Sequence, residues 1–210
     1  MIKNDYFIRT ESKADYRKTE NLVREAFWNV YMPGCREHYV LHSMRNSGEF
    51  IPQLDFVMEK NGEIIGQIVF AKAEIKCDDG LVKSALTFGP VCIHPQFQKQ
   101  GLGKILLDYA LEKAADYGDA VFIEGDINFY SQCGFDYAAQ KGFRYHGLPQ
   151  DADTSFFLCK ELKKGSLEKL KGEYSTPQIY FCAVNNPEAF EEYESSFPYK
   201  EKLKLPGQLG

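Results

Sequence analysis

Gln98-Lys99-Gln100-Gly101-Leu102-Gly103-Lys104 sets two glycines and two lysines at the mouth of an apolar-periodic run. Such residues at this spacing suit an anion. The first N–H groups of a helix are unpaired, its dipole favours negative charge, and glycine lets a phosphate approach the backbone. A P-loop is excluded, because GxxxxGK[ST] needs glycine where Gln98 stands and Ser or Thr where Ile105 stands. A dinucleotide fingerprint fits poorly, since Leu106 occupies its third glycine position and no early βαβ unit precedes it. A pyrophosphate cradle and a glycine-rich turn that only fits a helix against a sheet both remain open at this point.

Other chemistry-bearing residues are more ambiguous. Glu74, Glu124, Asp126 and His94 fall at or near strand ends, and each suits a solvated role at least as well as a basic one. Glu124 stands out because it ends an otherwise apolar strand, where a carboxylate is expensive to bury unless used or paired. His38 and His42 share an i, i+4 spacing, but "HYVLH" lacks the glutamate of H-E-x-x-H and no third ligand is evident. They read as two surface histidines, and no metal is expected. Cys133, beside Gly134, reads as a buried thiol rather than a nucleophile.

The elements that must position these groups follow from periodicity. "YFIRTE" is a short strand, and Tyr16, Leu22, Val23, Ala26, Phe27 and Val30 lie on one helical face. "CREHYVLHSM" is a second short helix. Two β-rich runs flank Asn61-Gly62, a strong hairpin signal, and Asp79-Gly80 turns the chain into a third strand. Gly89-Pro90 interrupts that third strand and implies a bulge or an edge. Leu102 to Tyr117 is helical, "AVFIEG" a buried strand, "INFYSQC" one or two helical turns, and "FFLCKEL" a last core strand. Residues 160–178 read as a lysine- and glycine-rich linker, followed by apolar segments that fold back onto the body. The fold class is α+β, with a mostly antiparallel mixed sheet flanked by helices.

The whole chain is compatible with this picture. Its 210 residues are 44% hydrophobic and 26% charged, and its net charge of −5 argues against a nucleic-acid partner. The six cysteines form no CxxC pair, the start is too polar for a signal peptide, and no apolar run reaches membrane-spanning length. A soluble, cytoplasmic protein with no membrane partner is expected.

A strand ending "GPVCIHP", then Q-x-x-G-x-G at Gln98, Gly101 and Gly103, then "NFYSQCGF", resembles the GNAT superfamily of acetyl-CoA-dependent N-acetyltransferases. The second motif matches F-Y-x-x-x-G-F at Phe129, Tyr130, Gly134 and Phe135, and the resemblance spans roughly Leu81 to Leu162. It implies a GNAT-like acyltransferase domain over 1–162, with 163–210 as an extension packing on it. By the same resemblance acetyl-CoA is the co-substrate: Val91, Cys92 and Ile93 border its pantetheine arm, Gln98 to Lys104 hold its pyrophosphate, and Asn128 and Tyr130 face its sulfur end.

Direct transfer to a primary amine would need donors for the oxyanion, such as a backbone N–H at the bulge, and a proton for the leaving thiolate. Tyr130 is the expected acid and Glu124 the chosen base, although proton relay through water needs no single base. Tyr31 and Met32 would line the acceptor pocket. The acceptor is a small-molecule or peptide amine of unstated identity, and the extension would cap the pocket, brace the sheet or form a homodimer contact. A catalytically weak acyl-CoA-binding sensor with the same fold is the alternative.

Overall fold

The computed structural model describes residues 6–149 and 151–208. Strand β1 (Tyr6–Thr10) is followed by helices α1 (Tyr16–Phe27) and α2 (Glu37–Met44), then by β2 (Phe50–Lys60), β3 (Glu63–Cys77) and β4 (Val82–Ile93). The meander forms as its turns dictate. Asn61 and Gly62 both take positive φ, 53° and 84°, so the strands turn with Lys60 opposite Glu63. Helix α1 stops at Phe27 and Asn29 enters the left-handed region, which leaves Val30 outside the helix and exposed.

Helix α3 (Leu102–Ala114) then crosses to β5 (Ala120–Glu124), and the one-turn α4 (Ile127–Tyr130) follows. The remaining elements are β6 (Asp136–Tyr137), β7 (Phe143–Tyr145), β8 (Phe157–Glu161), β9 (Gly172–Tyr174), α5 (Cys182–Asn185) and α6 (Pro187–Ser195). The main path of the sheet runs β1-β2-β3-β4-β5-β8-β6, antiparallel except between β4 and β5, and off it β9 pairs antiparallel with β3 and parallel with β7. The parallel β4–β5 step is the one the α3 crossover demands.

One face of the sheet carries α3, whose Leu106, Leu107, Ala110 and Ala114 bury against Met58, Ile68, Phe70, Leu86 and Phe88. The other face is covered twice. Helices α1 and α2 pack over Val69, Ala71 and Cys92, while β7 and β9 lie over Ala120, Phe122 and Phe157.

Two sequence expectations need correction here. The lysine-rich segment is no linker, because Gly172–Tyr174 pairs with Ile75–Cys77 of β3 and the Tyr174 ring stacks on Phe122 at 5.7 Å. "FFLCKEL" is accordingly not the last strand of the sheet. Both errors have one cause: a three-residue strand is stabilised by a distant edge and a distant ring, which local composition does not encode.

Candidate active site

The site begins where two strands part. Leu86 opposite Val121 is the single registered pair between β4 and β5. Just beyond it, Phe88 faces Phe70 and Val91 faces Ile68, so Gly89 and Pro90 together oppose Val69. This is a bulge, and it disrupts the ladder where β4 would otherwise continue beside β5. A gap is left between Gly89–Ile93 and the end of β5 at Glu124. Val91 and Ile93 join the α3 side of the core, whereas Cys92 faces α1 and α2 with its thiol pushed up to about 12 by burial.

The loop after β4 is the one expected to cradle an anion. Gln98 Nε2 donates to the Ile93 carbonyl at 3.0 Å and ties the loop to the strand end. Lys99 and Gly101 take φ of 59° and 80°, and Gly101 is the N-cap of α3. Among the described residues, the backbone N–H groups of Lys99, Gly101, Leu102, Gly103 and Lys104 donate to no protein acceptor. These donors lie at or just before a helix N-terminus. Lys104 is held by Asp108 one turn on, which raises its pKa, and Lys99 makes no described ion pair.

Across the gap, Asp126 caps α4 by accepting from both the backbone N–H and the side-chain amide of Asn128, each at 2.9 Å. Tyr130 packs among Phe88, Phe129 and Phe135 with ring centroids 5.9, 5.0 and 5.6 Å away. Gly125 makes this possible, since a Cβ there would lie 2.7 Å from Tyr130 Cδ2. Burial pushes the Tyr130 hydroxyl well above the ordinary tyrosine range, and the hydroxyl of Tyr31 lies near enough to add to the effect. Tyr31 stands in the α1–α2 loop, exposed, and faces Glu37 and Asp126; Met32 beside it is half-buried.

On the opposite face the C-terminal segment closes the gap. Glu124 is exposed, not buried, because it is the last residue of β5. Its Oε1 accepts from Tyr145 Oη at 2.8 Å and from Thr176 Oγ1, which are themselves in contact. Tyr180, in the helical turn Gln178–Phe181, stands against Gly89. Tyr145, Thr176 and Tyr180 were not singled out by sequence reading; nothing local marks them.

Residues 53–137 match the family model described as an acetyltransferase (GNAT) domain. That stretch is similar to a GNAT domain. Its fold is that of a GNAT family N-acetyltransferase from Escherichia coli (YhbS), crystallised in complex with CoA. That likeness has a TM-score of 0.71 at 22% identity, over 84% of this chain and 92% of that one. A GNAT family acetyltransferase from Brucella melitensis, crystallised in complex with acetyl-CoA, is similar with a TM-score of 0.65 at 20% identity, over 83% and 97% of the two chains. No curated protein matches the chain in sequence.

The remaining candidate groups have other surroundings. Glu74 and Lys72 line a cavity of about 1090 Å³ whose wall also includes Leu86 of the seam and Thr176, the partner of Glu124. His94 accepts from the Gln96 N–H at 3.3 Å and so caps the turn that follows β4. Cys133 is buried beneath the loop after α4. His42 is a surface histidine, but His38 is not: its side chain is fully buried and bonded to Glu194 of α6.

Proposed function

We propose that this GNAT-like domain transfers the acetyl group of acetyl-CoA directly to a primary amine. The observation that carries this reading is the run of unpartnered N–H groups after the strand that borders the gap, at the start of α3. Residues Gln98 to Lys104 would hold the pyrophosphate, and Val91, Cys92 and Ile93 would border the pantetheine arm. Acetyl-CoA supplies an activated acyl carbon. The six free cysteines support a reducing compartment, the cytoplasm.

The chain's own groups account for the remaining steps. A backbone N–H of Gly89 or Val91 at the bulge, where Pro90 has none, would serve the oxygen on which charge develops as the C–N bond forms. Glu124, with Tyr145 and Thr176 bound to it, takes the proton the amine must lose, directly or through water. Tyr130 gives its proton to the thiolate released when the C–S bond breaks. Burial raises the pKa of the phenol, so it stays the weaker acid, and delivery of its proton to the thiolate would rest on geometry and neighbouring charge. Tyr31 and Met32 border the side from which a small-molecule or peptide amine approaches, and Glu37 and Asp126 near Tyr31 suit a cationic one.

The test pairs binding with turnover. Calorimetric titration with acetyl-CoA is expected to show saturable binding, and Tyr130→Phe is expected to keep that affinity while slowing CoA release on a panel of primary amines by about 10²-fold. Absent binding overturns the reading. Binding without turnover on any amine would leave an acyl-CoA sensor instead.

A further inference from the structure

A buried tyrosine hydroxyl stands where β4 and β5 separate. Tyr180 covers the side-chain-free position of Gly89: a Cβ there would lie 3.5 Å from Tyr180 Cε1 and 3.9 Å from its Oη. The hydroxyl is buried and has no hydrogen-bond partner among the described residues. Its polar neighbours come from both sides of the seam, Thr87 on β4 and Glu124 on β5, with Tyr174 of β9 close by. Burial holds its proton in place, so it is available as an O–H donor. A hydroxyl removed from water without a partner is unfavourable, which favours any ligand that brings an acceptor to it.

The route from the cradle leads to this hydroxyl. Ile93 is tied to the loop through Gln98, and Gly89 lies four residues back along β4, about 13 Å at the strand rise of ~3.3 Å per residue. An extended arm anchored at the cradle and running along β4 therefore reaches Gly89 at its far end. Tyr130 is on the other face of the sheet, packed with the α3 side of the core, while Tyr180 packs with the α1–α2 side. The two hydroxyls approach the gap from opposite faces.

We propose that the Tyr180 hydroxyl donates a hydrogen bond to the acetyl oxygen of bound acetyl-CoA, as a second donor beside the backbone of the bulge. This rests on the acetyl-CoA reading above. It makes Tyr180 a catalytic residue supplied by a segment outside residues 53–137, which the family model matches. It also divides the labour between two tyrosines: Tyr180 serves the oxygen and Tyr130 the sulfur. A hydrogen bond of this kind strengthens as the oxygen becomes an oxyanion, while the phenol keeps its proton throughout.

Infrared spectroscopy of acetyl-CoA labelled with ¹³C at the thioester carbonyl, bound to the full chain, tests this without any acceptor. The carbonyl band is expected at lower frequency than in free acetyl-CoA. Tyr180→Phe is expected to return it toward the free value, and Tyr130→Phe to leave it unmoved. Because the deleted hydroxyl has no protein partner, Tyr180→Phe is expected to fold with a Tm at or above that of the wild type. Its acetyl-CoA affinity is expected to fall by no more than about tenfold, the worth of one neutral hydrogen bond. A Tyr180→Phe band that coincides with the wild-type band overturns the assignment alone. Failure of the wild type to bind acetyl-CoA in calorimetry overturns the co-substrate reading and this inference with it.

Discussion

His38 Nε2 lies 2.7 Å from Glu194 Oε2, a bond between the second helix and the last. Arg24 of α1 reaches the same carboxylate, its Nε 3.1 Å from Oε1. Glu194 thus clasps the C-terminal segment to both helices whose connecting loop carries Tyr31 and Met32. The clasp is dry: the His38 side chain is fully buried and its ring meets Phe197 edge-on at 5.2 Å. Burial outweighs the attraction of Glu194 and lowers the His38 pKa to about 4, so the neutral ring donates through Nε2–H.

Stability is expected to fall on mild acidification. The folded pKa of about 4 lies below the ordinary 6.5, so the unfolded chain binds more protons between those values and stability rises with pH across that window. Between pH 7 and pH 5 the wild type is expected to lose about 2 kcal/mol more than His38→Gln in urea unfolding. Arg24 and Glu20, which also act on His38, are common to both proteins and cancel. Equal losses in the two proteins would refute the linkage.

Gly125→Ala is expected to displace the Tyr130 ring, because the added carbon would stand 2.7 Å from Cδ2. Overpacking of this sort costs about 1–3 kcal/mol. Thermal unfolding reads that cost, and CoA release is expected to slow as it does in Tyr130→Phe. A Gly125→Ala enzyme with the wild-type rate would separate the placement of Tyr130 from the chemistry.

At Gly101 the effect is expected through the backbone alone. Its φ is 80° and a Cβ would meet nothing within 4 Å, so alanine is strained by about 1–2 kcal/mol without any clash. Acetyl-CoA affinity is expected to drop by about tenfold, roughly one lost hydrogen bond to a charged group. Gly62→Ala in the β2–β3 hairpin is the control, with similar strain at φ 84° and no change in affinity. If the two variants bind acetyl-CoA alike, the loop is not the cradle.

Glu124→Gln keeps the shape of the cluster with Tyr145 and Thr176 and removes its charge. Turnover is expected to fall by about 10²-fold with acetyl-CoA affinity unchanged, as measured by steady-state kinetics and calorimetry. Wild-type turnover in this variant would assign proton removal to water.

What the sequence made legible was local. The Asn61-Gly62 turn, the bulge at Gly89-Pro90 and the glycines before α3 all follow from backbone preferences that a few neighbours determine. The proposed donor side is made of such features, and so its backbone geometry could be read. The opposite face is made of long-range ones. Tyr180 reaches Gly89 only because the chain after β9 packs over α2, and Thr176 meets Glu124 from 52 residues away. His38 failed to read as buried because its partner is 156 residues distant. A polar residue on a short helix resembles a surface residue until a carboxylate arrives to satisfy it.

A single backbone pair joins the half of the sheet formed by β1 to β4 to the half formed by β5, β8 and β6. An extended arm laid along that seam takes the place of rungs the polypeptide does not supply. Acetyl-CoA would then be structural mortar as well as reagent, and the free protein would open along the seam far more readily than the charged one. Amide hydrogens on the two inner edges would exchange quickly until the arm is in place, and saturation at 100 times Kd would add about 2.7 kcal/mol of cohesion. On that reading the protein would loosen each time the donor departs and knit again when the next one enters.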